Sequence, residues 1–127
     1  MHKVLRFMAV LSLLVLVGCE QSVPPQMAAP ISPNAEQTGY FCGMLLSEHQ
    51  GPKSQIQLQN GKVVWFTSVR DGVMFIKSPE ESSAIAGFFV TAMDMADWPH
   101  PEQNMANWVS AHDALFVIGS ARRGGMG

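Results

Sequence analysis

The chain has 127 residues, with 8 basic and 10 acidic side chains and a formal net charge of −2. Past the first 18 residues the only adjacent basic pair is Arg122-Arg123, so the cationic surface that a nucleic-acid partner requires is missing and no nucleic acid is expected. Two cysteines, Cys19 and Cys42, and nine methionines make sulfur the conspicuous chemistry of the sequence.

Residues 1–18 read as a removable leader. Lys3 and Arg6 form a positive start, and the apolar run from Met8 to Val17 is too short to span a bilayer as a helix. Leu16-Val17-Gly18-Cys19 has the pattern of a bacterial lipobox, so cleavage before Cys19 and acylation of Cys19 are expected. Acyl chains anchor firmly, at about 0.8 kcal/mol per buried methylene. Glu20 in the next position favours sorting to the outer membrane, facing the periplasm. The stretch up to Gly39 contains Pro24, Pro25, Pro30 and Pro33 and has no apolar period. Residues 19–39 are therefore expected to form a flexible tether, and residues 40–127 a folded domain.

Within that domain, Gly43 to Ser47 reads as a short strand, closed by the turn cluster Glu48 to Pro52. Ser54 to Gln59 alternates, with Ile56 and Leu58 on one face and glutamines on the other. Asn60-Gly61 predicts a type I′ turn, and Lys62 to Phe66 the returning strand of a hairpin. Thr67 or Ser68 caps a predicted helix running to about Ser78, with Pro79 as its stop. Ala84 to Ala92 reads as a buried strand, and Pro99 and Pro101 hold Met93 to Pro101 as a loop. Trp108 starts a loose connection, and Ala114 to Gly119 is predicted as the final strand. The fold class is α+β: a small, mostly antiparallel sheet with one helix.

Once Cys19 is acylated, Cys42 has no partner for an internal disulfide. In Phe41-Cys42-Gly43-Met44 the two sulfurs stand at i and i+2, which on a strand places them on one face. A thiolate with a thioether is a soft ligand pair and favours Cu(I) over hard cations. The competing reading is plain burial, since cysteine and methionine are common core residues. Met93 and Met95 are either a second sulfur pair or packing residues beneath the hairpin. Met126, set among Gly124, Gly125 and Gly127, suits a third ligand better than a core position. His49, His100 and His112 show no zinc-ligand spacing with Cys42. An enzyme reading would pair Cys42 with a histidine, but there is no Gly-x-Ser-x-Gly elbow and no phosphate-binding glycine loop.

Cys42-Gly43-Met44, Gly51-Pro52-Lys53, Asp94-Met95 leading to Trp98, and Phe116 to Ser120 followed by Gly125-Met126-Gly127 occur in one order. This series resembles the NosL family, copper-binding lipoproteins that accompany nitrous oxide reductase. The resemblance covers about residues 40–127 together with the lipobox. It implies a Cu(I) chaperone without catalytic activity, delivering copper for the copper–sulfide centre of nitrous oxide reductase. Its implied partners are that enzyme and a membrane ABC-type maturation complex. It also implies a ββαβ unit, with a second such unit following the Gly-Met-Gly loop at which this chain stops. Many members carry a further cysteine three positions before Cys42, where this chain has Gly39. The expected metal site is therefore Cys42, Met44 and Met126. General periplasmic copper buffering is the alternative function, and a thiol-dependent enzyme using Cys42 a more distant one.

Overall fold

The computed structural model describes residues 28–78 and 85–125. Its elements are β1 (Ser54–Leu58), β2 (Val63–Phe66), α1 (Val69–Lys77), β3 (Ile85–Thr91) and β4 (Trp108–Ser110). The strands form one antiparallel sheet in the order β2-β1-β3-β4. This is the small α+β architecture that the sequence predicts. Cys19 and the leader lie outside the described residues, as does Met126.

The β1–β2 hairpin pairs Ser54 with Phe66 and Gln57 with Val63. Gly61 N–H donates to the Leu58 carbonyl at 2.9 Å, and Leu58 N–H donates to the Lys62 carbonyl at 2.8 Å. Gln59 to Gly61 thus make a three-residue loop, with Gly61 left-handed at φ +84°. The Asn-Gly pair closes a glycine-bulge loop instead of the expected two-residue type I′ turn. Asn60 Oδ1 accepts from Lys62 N–H at 2.9 Å, which accounts for the asparagine.

Helix α1 begins where Ser68 caps it, its hydroxyl accepting from Asp71 N–H at 3.1 Å. Asp71 in the first turn and Lys77 in the last both complement the helix dipole. The helix covers one face of the sheet, where Phe75 packs with Ile56, Val64 and Phe66. Gly72 permits the close approach, because a Cβ there would stand 2.5 Å from Ser54 Oγ and 2.9 Å from the Phe88 ring.

The opposite face carries the glutamines, as the alternation of Ser54 to Gln59 places them, and there Gln55 is fully buried. Its Oε1 accepts from Ile31 N–H and its Nε2 donates to the Ile31 carbonyl, both at 2.9 Å. Gln57 Nε2 donates to the Ala29 carbonyl in the same way. The side-chain amides satisfy a neighbouring backbone as a strand would. Residues 28–31, expected as tether, are consequently laid along the sheet, and Ala28 packs on Leu46, Trp65, Phe89 and Trp108.

Three other expectations change. Gly43 to Ser47 is no strand: among the described residues it makes a single bridge, Thr38 with Leu45, before a 3-10 turn at Leu46–Glu48. Trp108, read as the start of a loose connection, is buried and pairs with Thr91 as the first residue of β4. Ala114 to Gly119 forms no strand among the described residues, and Leu115, Val117 and Ile118 are 99%, 84% and 94% exposed. Strand propensity becomes a strand only where a ladder partner and a covering layer exist, and β4 already occupies the edge of β3.

Lys53 is fully buried just ahead of β1. Its Nζ donates to the carbonyls of His49 and Gly51, the latter at 2.7 Å. Its backbone exchanges bonds with Thr91 at 2.8 and 3.0 Å. Burial lowers the Lys53 pKa from 10.5 to about 8, and the nearby Glu102 charge opposes that shift. Between about pH 8 and 10.5 the unfolded chain therefore holds a proton that the folded chain has released, so this group makes stability rise with pH. Urea unfolding across that window should show the rise in the parent chain and its loss in Lys53→Met. At neutral pH, Lys53→Met leaves the buried carbonyls of His49 and Gly51 without their donor and removes the opposite charge near Glu102, and should cost about 3 kcal/mol.

Candidate metal centre

Cys42 lies on a tight reversal running from Gly39 to Met44. Gly43 N–H donates to the Gly39 carbonyl at 2.8 Å, and Gly39 N–H donates to the Met44 carbonyl at 2.9 Å. Gly43 takes φ +67°, a left-handed conformation that side chains disfavour. The pleat argument for a shared face therefore does not apply. Cys42 and Met44 stand on one turn, on either side of a glycine that reverses the chain.

Aromatic packing anchors the turn. Tyr40 N–H donates to the Trp65 carbonyl at 2.7 Å. The Tyr40 ring meets Phe41 edge-on at 5.2 Å and Phe75 at 5.3 Å, and Phe41 lies 5.7 Å from Phe66. Tyr40, Phe41 and Met44 nevertheless remain 44%, 55% and 40% exposed.

The Cys42 thiol is free and half-buried. Its Sγ lies 3.5 Å from Thr67 Oγ1 and 3.9 Å from the Gly39 carbonyl. A hydroxyl there can donate to a thiolate and steady its charge. A Cβ added at Gly39 would stand 2.8 Å from Sγ, so position 39 directly adjoins the thiol.

The segment before Met126 docks on the turn that Lys53 holds. Gly125 N–H donates to the Gln50 carbonyl at 2.8 Å, and Gly51 N–H donates to the Trp98 carbonyl at 2.8 Å. The Arg122 guanidinium stacks 3.9 Å over the Trp98 ring. A Cβ on Gly125 would meet the His49 ring, with Nδ1 at 2.6 Å. Sequence reading did not single out His49, Trp98 and Arg122 in this positioning role. The signal available was the pair of glycine-bearing segments, Gly51-Pro52-Lys53 and Gly124-Gly125, which face each other.

Met93 and Met95 do not sit on a strand. Met93 Sδ accepts from Thr91 Oγ1 at 3.8 Å, while Met95 is 89% exposed, so the pair does not pack beneath the hairpin. No group of three or more His, Cys, Asp or Glu side chains converges as a metal cage among the described residues.

A family model named NosL matches residues 30–127. A copper-binding lipoprotein NosL of Achromobacter cycloclastes is 38% identical over 125 residues, covering 97% of this chain and 64% of the relative. One of Stutzerimonas stutzeri is 28% identical over 121 residues, covering 94% and 62%. This chain thus spans a little under two thirds of the length of these two relatives. The crystal structure of the copper chaperone NosL from Shewanella denitrificans superposes with a TM-score of 0.69 at 31% identity, covering 81% of this chain and 75% of that one.

The adjacency of position 39 to the thiol is directly testable. In a disulfide the Cβ of one residue lies about 3 Å from the far sulfur, given an S–S bond of about 2.05 Å. Gly39→Cys should oxidise readily to a bridge with Cys42, seen as lost titratable thiol that reductant restores. The reduced variant should hold Cu(I) more tightly than the parent. A variant that keeps both thiols free under oxidising conditions would contradict the geometry.

Proposed function

This chain belongs to the NosL family, and from that premise we propose that it is a lipid-anchored protein that binds Cu(I) and hands it on without catalysis. The anchor is Cys19, in the outer membrane facing the periplasm. The destination is the copper–sulfide centre of nitrous oxide reductase, reached with a membrane ABC-type maturation complex. The names of the relatives support the copper and the lipid anchor. The observation that carries the reading is the half-buried Cys42 thiol on an exposed, aromatic-anchored turn beside Met44.

Transfer requires a ligand set that a partner can reach and compete with. A single thiolate supplies most of the affinity, and a thioether open to solvent can leave first. Thr67 Oγ1 stands 3.5 Å from the sulfur and can steady the thiolate once the metal departs. Met126 is the third ligand in this proposal, completing a low-coordinate sulfur site that suits Cu(I) and disfavours hard cations.

Competition titration of the reduced protein should find one tight Cu(I) per chain. Cys42→Ala should abolish that site and Met44→Ala should weaken it. Met126→Ala should remove one sulfur from the copper X-ray absorption fit. Unchanged affinity in Cys42→Ala would overturn the assignment. Cys19→Ser should release the protein from the membrane fraction.

A further inference from the structure

Strand β2 is the outer strand of the sheet, and its free rim borders the Cys42 turn. Antiparallel strands alternate between residues that bond their partner and residues that face away. Leu58 N–H donates to the Lys62 carbonyl, so with the register of the hairpin Lys62, Val64 and Phe66 turn their backbone groups toward β1. Val63 and Trp65 turn theirs outward. The Trp65 carbonyl is taken by Tyr40 N–H at 2.7 Å. Among the described residues the Val63 N–H and carbonyl and the Trp65 N–H have no backbone partner. The ladder begun by Tyr40 stops after one rung.

Beside this rim runs a groove of about 260 Å³, walled by Gln37 to Tyr40 and by Lys62 to Trp65, with Gly43 contributing. We propose that the rim of β2 is a strand-addition site that takes an extended, acidic segment of the protein with which copper is exchanged. Unpaired main-chain donors and acceptors in a groove are matched by another extended main chain, whereas a helix has already spent its own on itself. Among the described residues the one charged side chain lining the groove is Lys62, whose Nζ lies 6.0 Å from the Tyr40 ring centroid. That ammonium selects a carboxylate on the incoming segment. Gly39, Tyr40 and Gly43 belong both to the groove and to the turn that carries Cys42. A docked strand would therefore lie against the metal-bearing loop, coupling recognition to exchange. The identity of the partner rests on the copper-transfer reading, while the hydrogen-bonding capacity of the rim stands without it.

The test uses the copper-free full chain, amide hydrogen exchange by NMR, and a synthetic seven-residue peptide of alternating valine and aspartate. In the free protein the Val63 and Trp65 amides should exchange quickly and those of Val64 and Phe66 slowly. The peptide should slow Val63 and Trp65 selectively. Methylating the peptide amides that face β2 should weaken binding about tenfold, the order of one lost backbone hydrogen bond. Lys62→Glu should weaken it as well. Slow exchange at both amides in the free chain would overturn the proposal, because the rim would already be occupied. So would equal binding of the methylated peptide, or no response at millimolar peptide. Copper titration of the same sample reads out separately: peptide binding without copper binding keeps the strand-addition site and removes only the transfer reading.

Discussion

The buried ammonium of Lys53 organises one end of this domain. It donates to the carbonyls of His49 and Gly51, while its own backbone bonds Thr91. One residue thereby joins the turn ahead of β1 to the end of β3, with the charge of Glu102, which is 3% exposed, nearby. Burying a lysine costs solvation, and the cost is offset only where acceptors and an opposite charge converge. Here they do, and the Gly51 turn so formed becomes the platform on which Trp98, Arg122 and Gly125 assemble.

The sheet is covered on both faces by unlike means. Helix α1 seals one side with Phe75 and its neighbours. On the other side an extended segment runs beneath β1, held by the amides of Gln55 and Gln57. Leu46, Trp65, Phe89 and Trp108 fill the remaining space, with the two indoles edge to face at 5.9 Å. The domain accordingly begins ahead of Tyr40. The 28–31 segment belongs to it because the amides of Gln55 and Gln57 bond its backbone and Ala28 packs on the second face of the sheet.

The geometry of the Cys42 turn follows from this cover. The Gly39–Met44 reversal hangs from β2 by one backbone bond and a cluster of aromatic rings. It is packed at its base and exposed at Phe41 and Met44. That combination suits the proposed copper site, since the thiol is held half-buried while Met44 stays accessible. The same reversal borders the outer rim of β2, so the proposed copper chemistry and the proposed strand addition share a short stretch of chain.

Local chemistry was enough to determine several elements from sequence alone. Ser68 as a helix cap, the stop after Lys77, the β1–β2 hairpin and the strand ending at Thr91 all depend on contacts within a few residues. The Cys42 and Met44 pair was legible as a soft-ligand candidate for the same reason, because residue type and spacing carry that signal. What sequence could not decide was which surfaces would be covered. Gln55 reads only as a polar residue on the face opposite Ile56, and it is Ile31 that uses its amide and buries it. Ala114 to Gly119 reads as a core strand until β4 takes the edge of β3. Gly43 reads as a spacer within a strand, but its left-handed backbone closes a turn whose bonds run to Gly39 and whose anchor is Trp65. In each case the deciding partner lies outside the local segment, and a one-dimensional pattern records propensity without recording who is near.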